Sequence, residues 1–434
     1  MPKPRIWKLP DTPQATDGFA GAGGSAVGLT QAGIHVVTAL DHNEISLASH
    51  AANHPTTHHH QVDITQADPY DYPRCNILWM SPECTHFSSA SGNALPDDRQ
   101  MTIWDEYAPS PAHIRSRMAM MEVVRYASAH LSPVVIIENV IEVVKWARYA
   151  EWWQAMLSLG YEGQELYLNA ACFGTPSSRD RYYGFFWKDT RKPDLDFHPT
   201  AWCFHCDCET AAQQNWLTPH HRGKYKVNYD YVCPACRRRI NPYAVPVSSI
   251  LDWHLPTTRI GDRKKPLAQN TLNRIRWGLQ NYGDEGLAFS LDHTKYRVRP
   301  VGDPLMTVAP SSSTMLAASP FILSYYGRDN ANSSIQSALP TVTPSNRHQL
   351  VVPPQLSPNV NREPLTAEAI NALLPDCRTR LLEPNELARA MGFPDGYILI
   401  GTKGQAISQI GHAVAVPIAR LLGGVALELV ASRL

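Results

Sequence analysis

The chain carries no excess of either charge. Lysine plus arginine and aspartate plus glutamate each total 39 of its 434 residues, so net charge by itself points to no partner. It has no Gly-Lys-Ser/Thr phosphate-loop pattern, which disfavours a nucleoside triphosphate. No run reaches the ~18 uninterrupted apolar residues of a membrane helix. The apolar stretch from Val414 is broken by Pro417, Arg420 and Glu428, so no membrane partner is expected. Met1 to Pro10 is basic and contains proline but has no apolar core, so no signal peptide is expected. The nine cysteines are an odd number in a large chain and do not suit a secreted disulfide framework. A reducing, cytoplasmic setting follows.

What is present is enough chain for two or three domains with real cores. Short apolar runs at Ala15–Phe19, Val36–Leu40, Ile77–Met80, Val134–Ile137 and Tyr182–Phe186 read as strands. Helical patterns fall between them at Ala26–Gln31, Glu44–Asn53, Arg115–His130 and Trp152–Leu159. Alternation of this kind predicts an α/β fold with a doubly wound sheet over residues 14–188, whose ligands sit beyond the carboxyl ends of the strands. Residues 189–375 differ, with cysteine pairs, prolines and polar segments around one helix, Asn270–Gln280. Proline, at 35 residues, exceeds the usual ~5% and gathers between 240 and 365. Pro304–Ser311 and Leu339–Ser345 form a near-repeat and suggest two similar short β units. From 376 the α/β character returns. Glu383–Met391 reads as a helix, and Ser408–Leu434 as a loop followed by a long apolar helix that packs back on the first domain.

The motifs carry the chemistry. Asp17-Gly18-Phe19-Ala20-Gly21-Ala22-Gly23-Gly24 follows the first strand. Glycines there let backbone approach a ligand closely and leave helix N–H groups free. Asp41 at the next strand end could take ribose hydroxyls, and Asp63, beside Ile64, an adenine amino group. Together they suggest a nucleoside cofactor. Cys84 lies in Ser81-Pro82-Glu83-Cys84-Thr85-His86, just after the run Ile77–Met80. A loop cysteine at a strand end suits a nucleophile, whereas Cys75, Cys172 and Cys377 read as buried structural thiols. Glu138 ends the run Val134–Ile137, where partial desolvation favours a carboxyl that holds or shares a proton. His54 and His58-His59-His60 read as solvated loop residues and not as a metal site.

Cys203-x2-Cys206 and Cys233-x2-Cys236 form two knuckles with the spacing of a tetrahedral zinc site. His205 and Cys208 are weaker ligand candidates. Such a site would stiffen a region poor in apolar residues. Arg237-Arg238-Arg239 follows the second knuckle, and Arg259, Arg263, Lys264, Lys265, Arg274, Arg276, Lys295, Arg297 and Arg299 follow further on.

In this order the motifs resemble those of the cytosine-C5 DNA methyltransferase family. The resemblance covers residues 14–188 and 376–434. The glycine loop resembles the family's first motif, Glu83-Cys84-Thr85 stands where its Pro-Cys-Gln loop would be, and Glu138-Asn139-Val140 is its Glu-Asn-Val intact. Ser177-Ser178-Arg179-Asp180-Arg181 resembles its Gln-x-Arg-x-Arg, Glu386–Pro394 its later helix signature, and Gln409-Ile410-Gly411-His412-Ala413-Val414 its last motif. Glu83, Thr85, Ser177 and His412 depart from the usual residues; Glu83 is expected to point away from Cys84 or to pair with a cation.

The resemblance implies a Rossmann-like methyltransferase sheet with an inserted, irregular, β-rich and zinc-containing target-recognition domain at 189–375. It implies methylation of C5 of a flipped-out cytosine in double-stranded DNA through a Cys84–C6 bond. Glu138 would hold N3, Arg181 the base carbonyl or a phosphate, and Arg179 would support Arg181. S-adenosylmethionine would be held by Phe19, Ala20, Gly21, Gly23, Gly24, Asp41, His42, Asp63, Ile64, Pro82, His412 and Val414. The zinc would be structural. The expected setting is a monomer near the nucleoid of a bacterial or phage-infected cell, with a restriction endonuclease as a possible partner. The same reaction on RNA, or a degenerate zinc-dependent DNA-binding protein, are the competing readings.

Overall fold

A computed structural model describes residues 8–82, 111–282, 287–292, 295–300, 313–317, 321–324, 331–335, 337–345, 348–353 and 366–433. Glu83, Cys84, Thr85 and the first copy of the near-repeat lie outside the described residues. The chain divides into two compact units. One comprises Met1–Val245, Thr341–Ser345 and Ala388–Leu434, the other Pro246–Pro340 and Asn346–Leu387.

The first unit is built on a seven-stranded sheet. Its strands are β1 (Gln14–Gly18), β2 (His35–Asp41), β3 (His58–Gln61), β4 (Ile77–Met80), β5 (Val134–Asn139), β6 (Glu162–Asn169) and β7 (Asp180–Trp187). The order across the sheet is β3-β2-β1-β4-β5-β7-β6. The strands β3, β2, β1, β4 and β5 run parallel, and β7 is antiparallel to both β5 and β6. Strands β4 and β5 are buried along their whole length, as their continuous Ile-Leu-Trp-Met and Val-Val-Ile-Ile runs require of strands covered on both faces.

The strands that lack an apolar run in the sequence, β3 and β6, are the two edges of the sheet. His58–Gln61 is only partly covered, and Glu162–Asn169 is buried over its second half alone. An edge strand is fixed by its one neighbour's hydrogen bonds and need not be hydrophobic.

The helices are α1 (Gly24–Gln31), α2 (Glu44–Asn53), α3 (Pro111–His130) and α4 (Tyr149–Ser158). Asn43 caps α2 by accepting from the Ser46 N–H at 3.0 Å. In the second unit, α5 (Gln269–Tyr282) and α6 (Ala367–Leu373) contribute Ile275, Leu279 and Ile370 to a core with Leu323, Val351 and Cys377. A five-stranded sheet there runs Thr258–Arg259, Arg378–Leu381, His348–Val352, Phe321–Ser324, Ala331–Ser334.

After α7 (Pro384–Ala390) come α8 (Lys403–His412) and α9 (Val416–Ala431). Ser408–His412 is therefore helix and not the expected loop. Thr402 and Gln405 set its start with a reciprocal capping box. Within the span Lys403–Ala431 an 18-residue stretch reaches a mean hydropathy of 1.8, long and apolar enough by composition to cross a membrane. The span is two helices, and the apolar side of α9 is spent against α1. A Cβ on Gly28 of α1 would lie 2.4 Å from the Ala419 Cβ.

The boundary of the insert also differs from expectation. Residues 200–240 form small sheets, with β8 (Thr200–Cys203) paired to β9 (Cys208–Ala211), and β10 (Gln213–Trp216), β11 (Tyr229–Val232) and β12 (Arg239–Ile240) making a second. Their buried Ala201, Cys203, Tyr229, Tyr231, Cys233 and Ile240 join one hydrophobic cluster with Tyr167, Tyr182 and Phe186 of the main sheet. The cysteine ribbon thus belongs to the unit of the parallel sheet, and the break falls after Val245 instead of after 188. Aromatic burial decides this, and the cysteine spacing did not report it.

Candidate active site

Parallel strands bring all their carboxyl ends to one edge, and antiparallel β7 brings its amino end there. The residues after β3, β2, β1, β4 and β5 and those that open β7 therefore share one side of the sheet in that order.

On its first half the edge forms a cradle. Phe19, Gly21 and Gly23 all have positive φ, 58°, 52° and 92°, so the chain turns sharply into α1. The Gly21 N–H donates to Asp41 Oδ2 at 2.8 Å, and Asp41 Oδ1 accepts from Asn43 N at 2.7 Å. Asp41 thus ties the end of β2 to the glycine loop. A Cβ on Gly21 would meet nothing within 4 Å, whereas one on Gly24 would lie 2.3 Å from the Val414 carbonyl oxygen. Ala20 and Val414 are buried.

Asp63 is exposed in the turn after β3, where its Oδ1 accepts from the Thr65 N–H and hydroxyl. Ile64 beside it is buried. Its carbonyl, with that of Ala67, is held by Arg125 Nη2 and Nη1 at 2.5 and 2.7 Å. His42 and His412 are exposed, and His42 Nδ1 lies 3.7 Å from Asp41 Oδ1. The open side of Gly21, the acids Asp41 and Asp63 and the buried Ile64 and Val414 fit a nucleoside-like group with apolar and hydroxyl faces.

On the second half of the edge, Glu138 and Arg181 meet. Arg181 Nε lies 3.0 Å from Glu138 Oε1, with both side chains largely covered. The approach is an ion pair without an aimed hydrogen bond. Among the described residues no donor is directed at that buried oxygen. Arg181 instead donates Nη1 to the Asp180 carbonyl at 2.8 Å. Asn139 Nδ2 donates to the Pro82 carbonyl at 3.2 Å, which holds the buried start of the segment that carries Cys84.

Arg179 does not stand behind Arg181 as expected. It is 3% exposed and donates to the carbonyls of Val342, Gly411 and Ala413 at 3.0, 3.2 and 3.2 Å. Arg179 thus braces the Gly411–Val414 segment.

The four cysteines of the ribbon converge. The sulfurs of Cys203, Cys206, Cys233 and Cys236 all lie within 4.8 Å of one another, with Cys203–Cys236 at 3.6 Å and Cys206–Cys233 at 3.9 Å. A tetrahedral zinc with Zn–S of about 2.3 Å places its sulfurs about 3.8 Å apart, so the set fits that ion. Exposed Cys208 is not part of the cluster. Buried Cys75, Cys172 and Cys377 are ordinary structural thiols, pushed up by burial to about 11, 12 and 12.

The family model described as C-5 cytosine-specific DNA methylase matches residues 14–427. The chain belongs to the C-5 cytosine-specific DNA methylase family. A DNA (cytosine-5)-methyltransferase of Oryza sativa subsp. japonica, CMT2, is 48% identical over 54 residues, 12% of this chain and 4% of that protein. The type II methyltransferase M.AplI of Arthrospira platensis is 35% identical over 95 residues, 22% of this chain and 26% of that one. The chain therefore spans only a small part of these curated relatives. The crystal structure of the S. pombe Dnmt2 methyltransferase shares the fold, with a TM-score of 0.51 and 16% identity over 96% of this chain and 98% of that one. S-adenosylmethionine is the methyl donor the family implies.

Within this member of the C5 methylase family, sequence reading missed Arg125 and a histidine cluster. His59 is not a solvated loop residue. It lies on β3, and its Nε2 is 2.8 Å from Nδ1 of buried His50 on α2. The ring of His54, one helical turn on, lies 4.7 Å from that of His50 and is tilted by 46° to it. A Cβ on Gly23 would touch the Tyr397 hydroxyl, His50 and His54 at 2.8, 3.0 and 3.3 Å. The i, i+4 spacing of His50 and His54 was the available signal. Of the basic residues past the ribbon, Arg259 is engaged by Asp376 and Asp262.

Proposed function

We propose that the protein transfers a methyl group from S-adenosylmethionine to C5 of a flipped-out cytosine in double-stranded DNA, through a covalent bond between Cys84 and C6. The carrying observation is Glu138 Oε1, a buried carboxylate oxygen with no aimed donor, 3.0 Å from Arg181 Nε and on the sheet edge where the segment bearing Cys84 begins. Cytosine C5 is too weak a nucleophile to take a methyl unaided. Addition of the Cys84 thiolate at C6 makes C5 enamine-like.

Glu138 holds the base at N3 and supplies a proton as charge develops on the ring. Arg181 faces the base carbonyl or a neighbouring phosphate. The cofactor supplies an electrophilic methyl on a sulfonium, and the glycine loop with Asp41, Asp63 and Val414 orients it. Loss of the C5 proton and elimination of the Cys84 thiol complete the reaction. A base within a duplex is out of reach, and extruding it costs a few kcal/mol.

Zinc on Cys203, Cys206, Cys233 and Cys236 is structural in this reading, since four thiolates close its coordination sphere. The second unit serves target recognition. The stretch shared with a type II methyltransferase supports service as the modification partner of a restriction endonuclease.

The test is transfer of label from methyl-tritiated cofactor to cytosine-containing duplex DNA, single strands and RNA, by wild type and Cys84→Ser. Label on duplex cytosine C5, abolished by Cys84→Ser, supports the reading. Label on RNA alone would replace the substrate. Equal inactivity of both proteins, with both binding duplex, would leave a DNA-binding protein on a methyltransferase scaffold.

A further inference from the structure

The cysteine ribbon reaches the chain shortly after Glu138 and the residue just before Arg181. We infer that the tip of its hairpin, Arg222–Tyr225, is a positioning element for the Glu138–Arg181 pair, so that the ribbon sets the methyl-transfer rate. This rests on the reaction proposed above.

The tip has a fixed shape. Lys224 N donates to Asn228 Oδ1 at 2.9 Å, and the Lys224 carbonyl accepts from Val227 and Asn228 at 3.2 and 2.8 Å. Gly223 has φ +136°, and a Cβ there would strike the Asn228 side chain. Strands β10 and β11 rise from this loop, and β11 runs directly into the metal ligand Cys233. The loop and the metal site are thus the two ends of one hairpin.

The tip makes polar contacts with three residues on or next to the main sheet. Lys224 Nζ donates to Glu142 Oε1 at 2.8 Å, and Glu142 lies in the short helical turn that follows Glu138-Asn139-Val140. The Tyr225 N–H donates to Asp180 Oδ1 at 3.0 Å, and Asp180 immediately precedes Arg181 and accepts its Nη1 through its own carbonyl. Arg222 Nε donates to Glu165 Oε2 at 2.8 Å; Glu165 also accepts from the hydroxyls of Tyr149 and Tyr167 at 2.8 and 2.6 Å. Two contacts therefore hold the chain just after Glu138 and just before Arg181, and the third anchors the hairpin on edge strand β6. None of the three reaches Glu138 or Arg181 directly, so these are positioning residues and not catalytic ones. A small displacement of either partner is enough to matter, because misplacing a reacting group by ~1 Å can cost on the order of 100-fold in rate.

The experiment compares full-length wild type, Lys224→Met, Lys224→Arg and Asp180→Ala, which removes the acceptor of the Tyr225 N–H, in steady-state methyl transfer, with zinc content and melting temperature measured on each. Arg191→Gln, which breaks an exposed ion pair with Glu428, is the control. We expect kcat to fall about tenfold or more in Lys224→Met and Asp180→Ala, with the cofactor KM within about twofold of wild type. Lys224→Arg should recover most of the rate, and the control should match wild type. A kcat near wild type in folded, metal-loaded Lys224→Met and Asp180→Ala would overturn the inference. So would a loss confined to KM or one that Lys224→Arg fails to relieve. A wild type that labels no cytosine substrate would remove the functional reading and this inference with it, a result distinct from active wild type with unaffected variants.

Discussion

The side-chain amide of Asn139 holds the carbonyl of Pro82 at 3.2 Å, and its own Oδ1 accepts from the Val140 N–H at 2.8 Å. One buried side chain thus joins the end of β5, where Glu138 sits, to the chain just after β4, which leads to Cys84. Removing it in Asn139→Ala orphans a buried carbonyl, a loss of about 1–3 kcal/mol. The loss should appear as slower single-turnover methyl transfer with cofactor affinity little changed. Weakened cofactor binding with an intact transfer rate would contradict that role.

Gly24 and Gly21 separate two reasons for glycine in the loop after β1. At Gly24 a methyl group would lie 2.3 Å from the Val414 carbonyl oxygen, backbone against backbone. Gly21 has open space around it but φ +52°, which costs a non-glycine residue on the order of 1 kcal/mol. Gly24→Ala should therefore lower the melting temperature and cofactor affinity together, and more than Gly21→Ala does. Isothermal titration with S-adenosylmethionine and a thermal melt check it; equal effects would show that close packing against Val414 is not the constraint.

Much of this was legible in the sequence, and the failures share a cause. The buried parallel strands announce themselves because both faces need apolar side chains. The edge strands β3 and β6 do not, because one side of each pairs with nothing in the sheet. The meeting of Glu138 with Arg181 and the convergence of the four cysteines are legible because ordered motifs and fixed spacing survive in one dimension. The direction Arg179 faces is not legible, because a motif names a residue without saying which way it points; its guanidinium turns to carbonyls 163 or more positions away. The packing of the ribbon on the main sheet is not legible, because it depends on Tyr229 and Tyr231 meeting Tyr167 and Tyr182 in space.

The histidines beneath Gly23 give the fold an acid-side dependence. Burial, then His59, holds His54 down at about 4, and burial first, then His54 and His59, keeps His50 well below the ordinary 6.5. His58 and His60 add like charge on protonation. Tyr397 faces the cluster, its hydroxyl donating to the Ala22 carbonyl at 2.5 Å. The unfolded chain, with histidines near 6.5, binds more protons than the folded one between that value and about 4. This contribution is complete above 6.5 and is lost as pH falls through the window. Melting temperatures taken from about pH 7.5 to about pH 5 should fall in wild type and fall less in His50→Gln and His54→Gln. Identical slopes would show that the cluster is not the source.

Metal removal separates structure from chemistry at the ribbon. Four thiolates at the sulfur spacings seen here predict one zinc per chain, bound more tightly as pH rises because each ligand must lose a proton. Because Cys203 and Cys233 sit in the same hydrophobic cluster as Tyr167 and Phe186, chelation should loosen β6 and β7 as well as the ribbon. Hydrogen exchange with and without chelator, alongside elemental analysis, tests this. Exchange confined to 200–240 would mean that the ribbon is an independent module.

Glu386 makes a prediction in the second unit that is free of the chemistry. It is 1% exposed, and its two oxygens accept from Arg380 Nη1 and Nη2 at 2.7 and 2.6 Å and from the Asp252 and Glu383 N–H groups at 2.8 and 2.7 Å. Breaking one side of a buried pair leaves the other charge uncompensated, at about 3–5 kcal/mol. Glu386→Ala should therefore destabilise the protein strongly in urea. Replacing both partners, Arg380→Met with Glu386→Met, removes the stranded charge but still orphans the Asp252 and Glu383 amides. The double variant should recover part of the loss and not all of it. A double variant as stable as wild type would mean that the two backbone amides find other acceptors. A Glu386→Ala change within about 1 kcal/mol of wild type would mean that water replaces the carboxylate.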